Sequence, residues 1–249
     1  MIFPSQRTIN AQLTKIFQIF NDSEGGIRPH FHLTGPSGSG KSCLVNQIAK
    51  QFKMPMIELN AAGLTSEGLS GNSLSKALRK LREHWNEPNV VFVDEFDKLF
   101  VRNGETTEGF RSAVQDEFLT ALEAKHTSIF TDYGKYEPVV IENSLFIFAG
   151  AYSNQKISQM SELKDCGMRT EFIGRVPLIF CTQEIPVSEL RGYIQEVKLF
   201  QQYMEMFPEH NRKVAVKNIA EALAEKQKEL PIGIRLLNTC IHLEFMKAA

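Results

Sequence analysis

The run "GPSGSGKS", Gly35 to Ser42, restricts the fold more than any other stretch of the 249-residue chain. It matches G-x-x-x-x-G-K-[ST], a pattern that works as a loop leaving a β-strand and opening a helix. Both flanks meet that requirement. "HFHLT" (His30 to Thr34) reads as a short strand, and Leu44, Val45, Ile48, Ala49 and Phe52 recur at helical spacing after Lys41. Glycines in such a loop let backbone amides turn inward as a nest for phosphate oxygens. Lys41 is then placed to bridge the outer phosphates of a nucleotide, and Ser42 to ligate magnesium, with the positive end of the helix dipole behind them. The candidate ATP contacts are Gly35, Pro36, Ser37, Gly38, Ser39, Gly40, Lys41, Ser42 and Cys43. A glycine-rich turn matching by chance is the alternative, and the strand and helix on either side argue against it.

The remaining chain alternates strands with helices. Ile9, Leu13, Ile16, Phe17 and Phe20 fit one face of a helix from Ser5 to about Asn21. "MIELN" (Met56 to Asn60) predicts a second strand, and Leu74 to Trp85 a crossover helix. "VVFV" (Val90 to Val93) is apolar without alternation, as in a central parallel strand covered on both faces. A helix follows through Ala113, Phe118 and Leu122, then a hairpin over Ser128 to Ile141 turning at Tyr133, Gly134 and Lys135. "SLFIFAG" (Ser144 to Gly150) and "PLIFC" (Pro177 to Cys181) complete the strands. The class is α/β, a parallel sheet with helices on both faces. Beyond Ile185 only helical periods remain: Leu190, Ile194, Val197 and Leu199; Ile219, Leu223 and Ala224; and Leu236, Leu237, Cys240, Ile241, Leu243 and Phe245 in a helix beginning at Pro231. The expected division is an αβα nucleotide-binding domain over 1–184 and a small, mainly helical domain over 185–249.

A phosphate-binding loop needs a second, carboxylate-bearing strand, and "VVFVDEFDKL" supplies it. Asp94, at the strand's end, is placed to hold magnesium through water, and Glu95 to orient and polarise the attacking water. A helix-capping pair is the structural alternative for Asp94 and Glu95, while Asp97 reads as a local cap or partner. The combination favours an ATPase over a small-molecule kinase, which would need an acceptor pocket in place of a water-activating carboxylate.

Composition narrows the partners. Hydrophobic residues make up 43% and charged residues 23%, enough for a sizeable core. With 28 basic against 29 acidic residues, bulk attraction to nucleic acid or anionic lipid is disfavoured, although Arg79, Lys80 and Arg82 form a modest basic patch. Cys43, Cys166, Cys181 and Cys240 form no C-x-x-C pair and read as reduced, mostly buried thiols. His30 and His32 find no third ligand at a spacing suited to a metal. No apolar segment has signal-peptide or membrane-spanning character, so the expected location is the cytoplasm.

The region "CGMRTEFIGRVPLIFCTQEI" (Cys166 to Ile185) resembles the ClpX and HslU branch of the AAA+ ring ATPases, the unfoldases of ATP-dependent proteases. The likeness runs collinearly through "GPSGSGKS", "LNAAGLTSEGLSG", "VVFVDEFDKL", "NSLFIFAGAY" and "PIGIR". It implies a P-loop αβα domain with a helical C-terminal lid, assembled as a hexameric ring. It also gives two arginines roles. Arg175 would reach into a neighbouring subunit's nucleotide site, where an arginine on the γ-phosphate is worth about 10³ to 10⁵ in rate; the alternative is a surface pair with Glu171. Arg235 would bridge the lid to bound phosphates; the alternative is a solvated side chain.

Departures from the family pattern shape the expected task. The central-pore loop aligns with Gly68-Leu69-Ser70-Gly71, where the family carries an aromatic between glycines, so Leu69 is either a weakened substrate contact or an ordinary loop residue. Between "FAGAY" and "EFIGR" the chain is too short for the family's peptidase-docking loop, implying no docking onto ClpP. Only 34 residues precede Gly35, so the zinc-binding domain is expected to be absent. After "SLFIF" no polar sensor is evident, with Ala149, Gly150 and Ala151 in place and Ser153 or Asn154 as substitutes. Tyr133 and Tyr136 either line a pore or pack across the hairpin. The expected function is a minimal ClpX-like motor that remodels or unfolds proteins, with nucleotide turnover swinging the small domain through Arg235. The second reading is a nucleotide-switched assembly platform binding a protein or nucleic-acid partner.

Overall fold

The computed structural model describes residues 2–65, 72–100, 105–131, 134–229 and 232–247, with backbone alone for 105–112. It divides into two compact units. The larger comprises Ile9–Gly35 and Lys41–Cys181, and the smaller Met1–Thr8, Pro36–Gly40 and Thr182–Ala249.

In chain order the elements are α1 (Arg7–Asp22), β1 (Phe31–Thr34), α2 (Lys41–Gln51), β2 (Met56–Asn60), α3 (Leu74–Ala77), β3 (Asn89–Asp94), α4 (Glu105–Glu123), β4 (His126–Phe130), β5 (Tyr136–Val140), β6 (Ser144–Gly150), α5 (Met160–Asp165), α6 (Thr170–Arg175) and β7 (Leu178–Cys181). Then follow α7 (Val187–Gly192), α8 (Lys198–Met206), α9 (Arg212–Lys226) and α10 (Ile234–Phe245).

The larger unit is built on a five-stranded parallel sheet in the order β2-β3-β6-β1-β7. Its strands read as continuous apolar runs because both faces are covered, and successive side chains go to opposite sides. Val90, Phe92, Leu145 and Ile147 pack with α1 and α2 on one face. Val91, Val93, Phe146 and Phe148 pack with α4, α5 and α6 on the other. β4 and β5 form a separate antiparallel hairpin, in which Tyr136 lies opposite Phe130 and meets its ring edge-on at 5.3 Å. Tyr136 therefore packs across strands; Tyr133 lies outside the described residues.

Three readings of the sequence need correction. The segment Leu74 to Trp85 is not one helix. α3 is a single turn, followed by a 3-10 segment Leu78–Glu83, and together they bury Leu74, Leu78 and Leu81 without completing a regular crossover helix. The basic side chains Arg79, Lys80 and Arg82 are exposed there, and Arg82 is drawn to Glu137 at 3.5 Å. The thiols are all free but not mostly buried: Cys240 is, whereas Cys43 is exposed and Cys166 and Cys181 are half-buried. Pro231 lies outside the described residues, and α10 begins at Ile234.

The smaller unit centres on Leu190, Ile194, Phe200, Ile219, Leu223, Leu237 and Ile241, all fully buried. Phe3 joins this core and meets the Tyr193 ring edge-on at 5.0 Å, so the N-terminal residues belong with the C-terminal helices. No helix among the described residues is long and apolar enough to cross a membrane.

His32, in β1, is fully buried among Phe96, Phe148 and Phe172, and neither ring nitrogen makes a hydrogen bond. Burial pushes its pKa down to about 3, outweighing an opposing influence of the Val176 backbone. Burial, and then the charge of Arg28, do the same to His30, whose Nδ1 accepts the Phe146 N–H. Both rings are neutral in the fold while the unfolded chain protonates them near 6.5. Their contribution to stability is thus complete above about pH 6.5 and drains as the pH falls toward 3. His32→Phe should shrink the drop in Tm between about pH 7 and about pH 5. Superimposable acid limbs for variant and wild type would show that His32 carries none of it.

Candidate nucleotide site

Parallel pairing brings the C-terminal ends of the strands to one edge of the larger unit. Thr34 of β1 is in register with Gly150 of β6 and Cys181 of β7, and Asp94 of β3 with Asn60 of β2. In open α/β sheets this edge is where ligands bind. The chain leaves β1 through Gly35, whose φ of +134° is open to glycine, and resumes at Lys41, the first residue of α2. The Lys41 ammonium donates to the Gly35 carbonyl at 2.7 Å, folding the side chain back over the start of the loop. Ser42 and Cys43 are exposed on the first turn.

β3 ends in the two carboxylates. Asp94 Oδ1 accepts the Glu95 N–H at 2.9 Å, and Glu95 is exposed. The backbone of Glu95 is left-handed, φ 54° and ψ 31°, a conformation that costs a side-chain-bearing residue about 1 kcal/mol. The hydroxyl of Ser42 and carboxylate of Asp94 are the hard oxygen donors that suit magnesium. Asp97 is a local partner, as expected: it is 4% exposed and accepts the N–H groups of Ala151 and Tyr152 at 3.3 and 3.2 Å. These contacts hold the turn after β6, where Tyr152, Ser153 and Asn154 are all left-handed.

The middle of the glycine loop, Pro36–Gly40, groups with the smaller unit. Arg235, exposed on the first turn of α10, donates from a guanidinium nitrogen to Ser37 Oγ at 2.9 Å. Gly38 (φ +76°) and Gly233 (φ +56°) meet backbone to backbone. A Cβ on Gly38 would lie 1.9 Å from the Ile232 carbonyl oxygen, and one on Gly233 2.4 Å from that of Gly38. No other residue fits either position. Ser39 is 2% exposed; its hydroxyl pairs with Thr182 Oγ1 at 2.7 Å, and its carbonyl accepts the Gln6 side-chain amide. Gln6 and Thr182 give no periodic or motif signal in the sequence, and both escaped the sequence reading. The one hint is Phe3-Pro4, an apolar residue outside the period of α1 followed by a turn former.

Arg175, the last residue of α6, does not pair with Glu171. It binds Glu123 at the end of α4 through Nε at 2.6 Å and through a terminal nitrogen, while Glu171 faces Arg169 at 3.6 Å. Arg169 also takes Asp116. The pore segment Gly68-Leu69-Ser70-Gly71 lies outside the described residues.

The left-handed strain at Glu95 is separable from its charge. Glu95→Gly should raise Tm by a few degrees over Glu95→Gln, which removes the charge but keeps the Cβ. Equal melting temperatures would show that the backbone there is unstrained.

The region 31–173, more than half of the chain, matches the family model described as ATPase family associated with various cellular activities (AAA). The chain is similar to the ATP-dependent Clp protease ATP-binding subunit ClpX of Porphyromonas gingivalis, 25% identical over 87% of this chain and 64% of that protein. It is similar also to ClpX of Bacteroides thetaiotaomicron and of Bacteroides fragilis, each 26% identical over 86% of this chain and 63% of the relative. It thus spans just under two thirds of those relatives' length. With the glycine loop, the paired carboxylates and the parallel sheet all inside or beside the matched region, the chain belongs to the AAA ATPase family and is ClpX-like within it.

Proposed function

We propose that the protein hydrolyses ATP as a ring-forming motor that remodels or unfolds protein substrates without ClpP. The observation that carries the hydrolytic step of this reading is Glu95, an exposed carboxylate held in a strained backbone one residue beyond Asp94; the ring and the protein substrate rest on the likeness to ClpX. Strain of this kind persists where the surroundings impose it, and it concentrates at reacting groups.

In this reading Gly35 to Cys43 hold the triphosphate, with Lys41 on the outer phosphates. Ser42 and Asp94 would hold magnesium, which supplies charge neutralisation to the phosphate oxygens. Glu95 orients water and accepts its proton. Arg235 reports phosphate occupancy to the helical lid over 185–249 by exchanging Ser37 Oγ for a phosphate oxygen. That exchange is favourable because a hydrogen bond to an ionised acceptor is about twice as strong as one to a neutral hydroxyl.

Arg175 acts on the nucleotide of a neighbouring subunit in a hexameric ring. Its pair with Glu123 does not oppose this. Both side chains are substantially exposed, 35% and 59%, and such pairs contribute about 0–1 kcal/mol in solvent. A γ-phosphate displaces Glu123 readily, and until then the arginine is parked. A cytoplasmic location fits this reading. The second reading, a nucleotide-switched platform for a protein or nucleic-acid partner, is favoured by Leu69, which lacks the flat surface of an aromatic pore residue.

Steady-state ATPase assays across protein concentration test the proposal. Turnover per subunit should rise with concentration. Glu95→Gln should lower kcat by about 10²-fold or more while ATP still binds. Arg175→Ala should lower it by about 10³-fold or more with affinity retained. Turnover that is independent of concentration and indifferent to Arg175→Ala would overturn the collective mechanism. Stimulation by an unfolded protein substrate, absent in Leu69→Ala, separates the motor from the platform.

A further inference from the structure

A loop that offers N–H groups to phosphate must turn its carbonyls away, and each carbonyl buried by that turn needs a donor. The donors are visible here. Lys41 serves the Gly35 carbonyl, the Ile234 N–H serves that of Gly38 at 3.4 Å, and the Gln6 side-chain amide serves that of Ser39. The third matters most. The Ser39 carbonyl and the Gly40 N–H belong to one planar trans peptide and point in opposite directions. Fixing the carbonyl on Gln6 therefore fixes the Gly40 N–H on the opposite side of the peptide. Gly40 has φ +82°, which lets the peptide take this orientation, and a Cβ there would lie 3.6 Å from the Gln6 amide nitrogen.

Gln6 is itself held. It is 4% exposed and closes the 3-10 turn Pro4–Gln6, in which proline restricts the backbone. On one side Phe3 is buried in the helical core. In the turn, Ser5 donates its N–H to both carboxylate oxygens of Glu189 at 3.1 Å and its hydroxyl to one of them at 2.8 Å. Glu189 lies in the first turn of α7. A continuous chain of contacts thus runs from α7 through Glu189, Ser5 and Gln6 to the peptide between Ser39 and Gly40.

We propose that Phe3–Gln6 is a brace that sets the phosphate loop from the helical unit, with Gln6 the positioning residue that aims the Gly40 N–H at the bound phosphates. The proposal rests on the nucleotide-binding reading above. It assigns Gln6 a part in affinity for the phosphate chain rather than in the chemical step.

Titration of the full chain with a fluorescent ATP analogue, alongside ATPase kinetics and apo-protein melting, tests it. Gln6→Glu keeps the shape but replaces the donor by an acceptor, and Gln6→Met keeps most of the volume with neither. Each should weaken analogue binding about tenfold or more, the scale of one lost hydrogen bond with a polar group stranded, and raise KM in step with little change in kcat. Binding and KM within about twofold of wild type in both variants would overturn the proposal. Should they unfold instead, Ser5→Ala and Glu189→Gln decide, since neither touches the loop. Weakened binding in those folded variants supports the brace, and wild-type binding removes it. Wild-type protein that fails to bind the analogue would instead remove the nucleotide reading itself, and the brace with it.

Discussion

Parallel pairing of strands with both faces dry is the constraint on which the site depends. A parallel sheet cannot be closed by hairpins, so each strand returns by a crossover and all strands end on the same edge. β3 and β6 are buried along nearly their whole length, which pins their registers, because a slip of one residue would exchange the two apolar faces. From that edge emerge Gly35, Asp94 with Glu95, and Gly150 with Ala151. The close quarters are measurable at Gly150. A Cβ there would meet the Tyr152 ring at 2.8 Å and the Asp97 carboxylate at 2.9 Å. Glycine thereby lets Asp97 reach two backbone amides, and a carboxylate beside the candidate site becomes a structural tie rather than a reacting group.

Much of this was legible in the sequence, for identifiable reasons. β2 and β6 were placed to the residue because short apolar runs between turn formers admit few other readings. The loop between β1 and α2 was placed because its motif fixes residue types at a set spacing, and Asp94 at the end of β3 because an apolar run stops there. What escaped notice depends on partners remote in sequence. Gln6 and Ser39 are 33 residues apart and Ser5 and Glu189 are 184 apart, and polar residues at such separations leave no periodic trace. The alternative considered for Arg175, a surface pair with Glu171, fails for a related reason. Glu171 is its neighbour four residues back, but α6 turns Arg175 toward the end of α4, where Glu123 waits, and leaves Glu171 to Arg169. The expected crossover helix failed because its apolar positions, Leu74, Leu78 and Leu81, are equally served by one α-turn followed by 3-10 turns.

The two arginines are held in physically different ways. Among the described residues Arg235 rests on Ser37 Oγ, a neutral hydroxyl that leaves its charge uncompensated. Its charge sits beside the loop, screened by solvent but not neutralised by a carboxylate among the described residues. Arg175 rests on a carboxylate, which cancels much of its field at a distance while leaving it exchangeable at contact. A cation meant to attract a ligand to its own loop gains from the first arrangement. A cation paired with an exposed carboxylate is neutralised at rest yet exchangeable, because such a pair contributes only about 0–1 kcal/mol.

Glu95 shows why sequence and stability pull apart at this edge. In the glycine loop, Gly35, Gly38 and Gly40 place glycine where φ is positive, and so avoid strain. At position 95 the same kind of backbone carries a glutamate. Glycine there would relieve the backbone, and asparagine would tolerate it better than glutamate does. Neither offers a carboxylate. Of the six side-chain-bearing residues with positive φ among those described, Glu95 alone stands at the end of a sheet strand beside a second carboxylate, so the backbone strain and the Asp94-Glu95 pair fall on the same turn.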